Sequence, residues 1–141
     1  MLNEEVRTIM KPHTVVAAPD MTIGEVSKIM VESRIQQIPI VDGKTFLGLI
    51  TSFDLWKNAR DNENPNESLA KDVMTTRVIK ITPKDKLGTA AELFMDKRFK
   101  TLPVVNLRNE LKGVITAFDI IKYTLKKEYK NPILFGDTIN A

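Results

Sequence analysis

The stretch Gly48-Leu49-Ile50-Thr51-Ser52-Phe53-Asp54 returns as Gly113-Val114-Ile115-Thr116-Ala117-Phe118-Asp119. A chain that repeats itself in this way is built from two versions of one unit. The register extends well beyond the motif: Met10 and Met74, Pro19 and Pro83, Gly24 and Gly88, Arg34 and Arg98, and Pro39 and Pro103 are each 64 residues apart. Gly48 and Gly113, Thr51 and Thr116, and Asp54 and Asp119 are 65 apart, so one residue has been added between the proline and the glycine. That interval holds Asp42-Gly43-Lys44-Thr45 in one copy and Asn106-Leu107-Arg108-Asn109-Glu110 in the other, a turn, where an insertion is tolerated. The period is longer than that of the common solenoids, and two copies imply a pseudo-symmetric pair.

Each copy reads as strand, helix, strand, strand, helix. A β-branched run comes first, Thr14-Val15-Val16 or Val78-Ile79-Lys80-Ile81. Thr22 and Glu25 then form a capping-box pattern, and Ile23, Val26, Ile29 and Met30 share one helical face. Leu87, Ala90, Leu93 and Phe94 repeat that face. Ile38-Pro39-Ile40-Val41 and Leu102-Pro103-Val104-Val105 read as strands that open at a proline. Asp42-Gly43 signals a hairpin. The second strand of each hairpin runs directly into a helix that starts at Thr51 or Thr116. The expected organisation is a first repeat over 6–58, an exposed polar linker over 59–69, a second repeat over 70–130 and a tail over 131–141 that opens at Asn131-Pro132, where a helix should stop. A half of roughly 60 residues buries little core alone. The two sheets are therefore expected to pack on each other as one α/β body with a pseudo-two-fold axis and two equivalent clefts.

Composition narrows the function. With no cysteine among 141 residues, disulfides, thiolate metal sites and cysteine nucleophiles are excluded, which fits a reducing cytoplasm. No apolar run approaches the ~18 residues of a membrane span, and the two glutamates within Met1 to Val6 do not suit a signal peptide. A net charge of +3 suits a phosphate-bearing small molecule better than a dedicated nucleic-acid partner.

The pattern of apolar-Pro-apolar-Val, a turn, Gly-x-x-Thr-x-x-Asp and a helix, present twice with Met10 or Met74 ahead of it, resembles a tandem of CBS domains, a Bateman module. The resemblance covers the chain from about Val6 to Tyr129. It implies two β-α-β-β-α repeats packed sheet to sheet, a regulatory rather than enzymatic role, and binding of AMP, ADP, ATP or S-adenosylmethionine with no obligatory cofactor. It also implies a homodimer, a flat disc of four repeats, that relays ligand occupancy to an effector protein.

An aspartate at a helix start can accept hydrogen bonds from both hydroxyls of a ribose, and the helix N-terminus favours anions. The same Thr-x-x-Asp is equally a plain helix cap, and duplication copies caps as readily as sites. By resemblance, one cleft would use Asp119, Thr116 and Val114 with Pro12, His13, Ile35, Gln36 and Gln37 of the other repeat. The other would use Asp54, Thr51 and Leu49 with Thr76, Arg77, Phe99, Lys100 and Thr101. Leu49, Val114 and Ile35 also read as ordinary core, and His13 and Arg77 as exposed loop residues. The positions before the apolar-Pro pair, often His and Arg in AMP-sensing members, are Gln36-Gln37 and Lys100-Thr101 here. Only Lys100 is charged, whereas a phosphate chain calls for several cations, so the identity of the adenosine compound stays open.

Three other readings compete. The fold can serve as a ligand-free dimerisation or docking module, with Trp56 and Phe118 on its face or, alternatively, in its core. Lys97-Arg98-Phe99-Lys100 and Lys126-Lys127-Glu128-Tyr129-Lys130 interleave basic and aromatic residues as single-strand binders do, but also as solvated helix faces do. Nucleic acid and membrane are not expected partners. Catalysis has little to work with: His13 stands alone as a nucleophile's base or metal ligand, and pseudo-symmetry sets Asp54 and Asp119 in different clefts.

Overall fold

The structure, a computed structural model, describes residues 2–96 and 99–128. A 3-10 turn at Val6–Thr8 precedes α1 (Ile23–Ser33), β1 (Gln37–Asp42), β2 (Thr45–Thr51) and α2 (Ser52–Asp61). After the linker come α3 (Ala70–Val73), α4 (Leu87–Phe94), β3 (Thr101–Val105), β4 (Leu111–Thr116) and α5 (Ala117–Glu128). The expected tail, Arg98 and parts of both basic runs (Lys97, Arg98, Tyr129 and Lys130) lie outside the described residues.

Helix α1 forms where the capping box is complete. Thr22 Oγ1 accepts from the Glu25 amide at 3.1 Å, and Glu25 Oε1 accepts from the Thr22 amide at 3.2 Å. The helix buries Ile23, Val26 and Met30 and ends on Arg34 in the left-handed region at φ 55°. Helix α4 buries Leu87 and Ala90 but has no side-chain cap. Its first amides are satisfied instead by the carbonyls of Glu4 and Leu2, at 2.8 and 2.9 Å.

Each hairpin is a two-stranded antiparallel pair, β1 with β2 and β3 with β4. Gly43, at φ 61°, supplies the left-handed residue of the first turn. The residues between the paired Val41 and Phe46 are 42–45, and those between Val105 and Leu111 are 106–110, so the added residue does lie in the second turn. In that turn Asn106 Nδ2 donates to Glu110 Oε1 at 2.8 Å, which holds the Glu110 carboxyl below its ordinary range. Both pairs carry a register shift at the same place, between Ile40 and Val41 and between Val104 and Val105.

The expected first strands are much reduced. Residues 14–16 and 78–80 make no strand, and pairing is limited to single parallel bridges, Ala17 with Ile40 and Ile81 with Val104. Of these segments Ala17 and Ile81 make the backbone pairs with the hairpins: Ala17 donates to Pro39 O at 3.0 Å and accepts from Val41 at 2.9 Å, and Ile81 does the same with Pro103 and Val105 at 3.0 and 2.8 Å. The β-branched residues ahead of them are pulled toward solvent, with Val15, Val16 and Ile79 all exposed.

The leading segments are exchanged between the repeats. Val6 is fully buried among Ile81, Leu87, Leu102 and Ile115 of the second repeat, with Met10 packed beside them. Ala70 is buried among Ala17, Ile23, Val26 and Ile38 of the first repeat, with Val73 and Met74 beside them. The hydrogen bonds follow the same symmetry: Val6 N to Asp85 O at 2.7 Å and Ala70 N to Met21 O at 2.8 Å. Each fully buried aliphatic side chain contributes about 1.5–3 kcal/mol, so neither core is complete without the other half of the chain. A third, smaller cluster of Phe46, Leu49 and Val105, with Val78 and Leu111 against it, lies between the hairpins. Their tips join there, where Phe46 N donates to Asn109 O and Leu111 N to Lys44 O, both at 2.9 Å.

Candidate functional site

The motif's glycines hold the site together. Each leading segment continues past its methionine and pairs with the opposite repeat's motif strand. Lys11 N donates to Val114 O at 2.9 Å and Val114 N to Lys11 O at 3.1 Å. Thr75 and Leu49 exchange the equivalent bonds at 2.7 and 3.0 Å. A Cβ on Gly48 would stand 2.6 Å from Thr75 O, and one on Gly113 2.5 Å from Lys11 O, so only glycine admits the crossing backbone.

Three residues after each glycine the strand ends, and the helix follows. Thr51 Oγ1 accepts from the Asp54 amide at 3.1 Å, and Asp54 Oδ2 accepts from the Thr51 amide at 2.9 Å. Thr116 and Asp119 repeat this with the same distances, 3.1 and 2.9 Å. The Thr-x-x-Asp motif is therefore a helix cap in both copies. A cap occupies one carboxylate oxygen, and the fate of the other differs. Among the described residues, Asp54 Oδ1 meets only the Thr75 hydroxyl, at 3.4 Å. Asp119 Oδ1 is held by Lys11 Nζ at 3.2 Å, with the Asp119 side chain only 9% exposed.

Two clefts open where the repeats meet. The first, about 690 Å³, has Leu49, Thr51 and Asp54 on one side and Arg77, Phe99, Lys100 and Thr101 on the other. The second, about 390 Å³, has Val114 and Thr116 facing His13 and Ile35. Gln36, Gln37, Lys100 and Thr101 line both, because the first residues of β1 and β3 lie between the clefts. The Ser52 amide donates to Gln36 O at 2.9 Å and thus ties that wall to the start of α2. In the same wall Gln37 Oε1 is buried with no hydrogen-bond partner among the described residues, a state that costs about 1–3 kcal/mol.

The structure thus brings most of the expected residues to the two clefts and leaves three out. Pro12 and Thr76 are exposed and line neither cleft, and Asp119 is turned to Lys11 rather than to the opening. Leu49 and Val114 are both buried core, at 6% exposure, and cleft floor. Ser52, Phe53, Thr75, Val78 and Ile79 in the first cleft, and Lys11, Thr14, Val15 and Pro39 in the second, lie outside the expected set. Lys11 and Thr75 directly follow the repeat-marking methionines, and that position was the available signal for them.

Helices α2 and α5 expose a matched set of large apolar side chains: Trp56 and Phe53, the latter also lining the first cleft, on one, and Phe118 and Ile121 on the other. Trp56 is 79% exposed, so it belongs to a face and not to the core. Lys127 lies 5.5 Å from the Tyr123 ring centre and 3.9 Å from Glu4 Oε1. Among the described residues no three of His, Cys, Asp and Glu gather as a metal site, and no helix is long and apolar enough to cross a membrane.

Comparison with known proteins agrees with this architecture. The chain is 30% identical over 124 residues to the uncharacterized protein MK0525 of Methanopyrus kandleri, covering 86% of this chain and 63% of that one. Further curated relatives it matches are longer: it spans 47% of MJ1225 of Methanocaldococcus jannaschii and 24% of the inosine-5'-monophosphate dehydrogenase of Aquifex aeolicus. The CBS domain pair of MJ0100, solved in complex with 5'-methylthioadenosine and S-adenosyl-L-methionine, superposes with TM-score 0.76 at 25% identity, over 89% of this chain and 98% of that one. CBSX2, solved in complex with AMP, shares the fold with TM-score 0.78 at 23% identity, over 88% of this chain and 98% of that one. The CBS domain profile matches residues 6–55 and again 70–126, so the duplicated unit is a CBS domain and this chain belongs to the CBS-domain family as a tandem pair.

Proposed function

We propose that this CBS pair is a regulatory module that binds an adenosine-containing ligand in the clefts between its repeats and relays occupancy to a partner. The observation that carries the reading is the first cleft. At about 690 Å³ it falls within the usual range for small-molecule sites, roughly 300–1,000 Å³. Its floor is apolar at Leu49 and Val78, and Asp54 on its rim keeps one carboxylate oxygen outside the cap. A ribose diol is the natural donor pair for that oxygen. The orphan acceptor Gln37 Oε1 is buried in the wall and would be satisfied by a donor on the ligand, such as an exocyclic amine, only after its side chain turns into the cleft. Arg77 and Lys100 supply two cations, enough for a monophosphate and few for a triphosphate chain. AMP, adenosine and S-adenosylmethionine therefore suit the cleft better than ATP. The complexes of CBSX2 with AMP and of MJ0100 with 5'-methylthioadenosine and S-adenosyl-L-methionine support the ligand class.

The output follows from linkage. A ligand that touches both repeats favours one arrangement of them, by no more than its difference in affinity for the two. The exposed Phe53, Trp56, Phe118 and Ile121 support a homodimer through α2 and α5, in which that arrangement would be felt by the mate. The same face favours a second reading, a docking module that uses no ligand. Thermal unfolding with a panel of adenosine compounds separates the two. A binder at 100 times its Kd should stabilise the protein by about 2.7 kcal/mol. No shift with any compound would leave the docking reading.

A further inference from the structure

We propose that Lys11 decides the stoichiometry of ligand binding, by occupying the ribose-accepting carboxylate of the second cleft and leaving only the Asp54 cleft open to a nucleoside. The inference rests on the nucleoside reading above and adds which cleft is used and what selects it. Residues 11 and 75 occupy equivalent places, each paired through its backbone to the residue after the motif glycine, Val114 or Leu49. The backbone presents each side chain to the capped aspartate of the opposite repeat. At residue 75 that side chain is a threonine, whose hydroxyl lies 3.4 Å from Asp54 Oδ1 and carries no charge. At residue 11 it is a lysine, whose ammonium stands 3.2 Å from Asp119 Oδ1.

Both oxygens of Asp119 are consequently engaged, Oδ2 by the Thr116 amide at 2.9 Å and Oδ1 by Lys11. An ammonium is a stronger partner for a carboxylate than a sugar hydroxyl, and the Asp119 end of the pair is sheltered at 9% exposure while Lys11 is 59% exposed. A nucleoside entering the second cleft would have to displace Lys11 before it could use Asp119. Asp54 asks for no such displacement, since among the described residues no cation lies within ion-pair distance of it. Losing a hydrogen bond to a charged group weakens binding by about tenfold to a hundredfold, so the second cleft stays empty where the first is full.

The test counts sites by titration calorimetry of the full chain, with adenosine, which has the diol and the base but no charge to compete for Lys11, and with AMP and S-adenosylmethionine. The wild type should bind one adenosine per chain, and Asp54→Asn should bind it at least about tenfold more weakly. Lys11→Thr, which gives residue 11 the side chain found at residue 75, should bind two. Lys11→Met, which removes the charge but keeps most of the stem, should also gain the second site, so a folding defect in one variant does not decide the outcome. Lys11→Thr combined with Asp54→Asn should return to one. Two equal sites in the wild type overturn the role of Lys11 while leaving the nucleoside reading intact. So does a count that stays at one or falls to zero in both lysine variants, the fall identifying Lys11 as a ligand group. Failure of adenosine, AMP and S-adenosylmethionine alike to bind any form overturns the nucleoside reading and this inference with it.

Discussion

A Cβ placed on Gly113 would stand 2.5 Å from the carbonyl oxygen of Lys11, 102 residues earlier in the chain. The atom it would strike is backbone, held in a two-way hydrogen-bonded bridge to Val114, and has little room to yield. The motif glycine therefore serves the junction of the repeats. Gly113→Ala should destabilise the protein by about 1–3 kcal/mol, the range for overpacking, and Gly48→Ala, which meets Thr75 O at 2.6 Å, should do the same. Urea unfolding followed by circular dichroism measures both. Midpoints equal to wild type would show that the leading segments are not tightly seated.

The caps predict a second, separable effect. Thr51→Ala removes the acceptor of the Asp54 amide and should cost about 1 kcal/mol of stability, and Thr116→Ala a similar amount. Asp54→Asn keeps an acceptor oxygen for the Thr51 amide, so its unfolding midpoint should shift less than that of Thr51→Ala, while its adenosine binding should fall by about tenfold or more. A variant that loses stability and affinity in equal proportion would mean that Asp54 is a cap and nothing else.

Lys100 lines both clefts and is the one residue of the Gln36-Gln37 and Lys100-Thr101 wall with a charge. Lys100→Met should therefore discriminate between ligands. AMP affinity should drop by about tenfold, equivalent to ~1.4 kcal/mol, with little change for adenosine. Calorimetry with the two compounds gives the comparison. Equal losses for both would place Lys100 against the base or sugar instead of the phosphate.

The apolar residues on α2 and α5 predict an assembly. Trp56 and Ile121 are 65 residues apart, as are Phe53 and Phe118, so the exposed face repeats with the motif. Trp56→Glu with Phe118→Glu should convert a dimer to a monomer in sedimentation velocity without shifting the unfolding of the single chain by more than about 0.5 kcal/mol, the usual range for surface changes. A wild type that sediments as a monomer at all concentrations would contradict the dimer.

The parts of the fold that depend on neighbours in sequence were legible from the chain alone. The Thr22–Glu25 box, the Ile23, Val26 and Met30 face, the Gly43 turn and the one-residue insertion are all written within a few positions of where they act. The exchange of leading segments was not legible, because Val6 and Ala70 are apolar residues that either core would accept, and only tertiary packing selects between them. The leading β-branched runs have strand propensity, yet their backbone pairing with the hairpins is limited to Ala17 and Ile81, since pairing needs a partner edge as well as a propensity. At the clefts the motif itself was visible, but the Lys11–Asp119 pair joins residues 108 positions apart and has no local signature. Thr75 lines the first cleft and the expected Thr76 does not, since in an extended segment one residue turns the side chain to the opposite side.

The central claim is that an adenosine compound lodges between the repeats on the Asp54 side. A crystal structure of the protein grown with saturating AMP tests it most directly. The account predicts a ribose with its hydroxyls on Asp54 Oδ1, a base over Leu49 and Val78, and a phosphate toward Arg77 and Lys100. Side chains collapsed into an empty cleft, or AMP bound anywhere else on the chain, would contradict it.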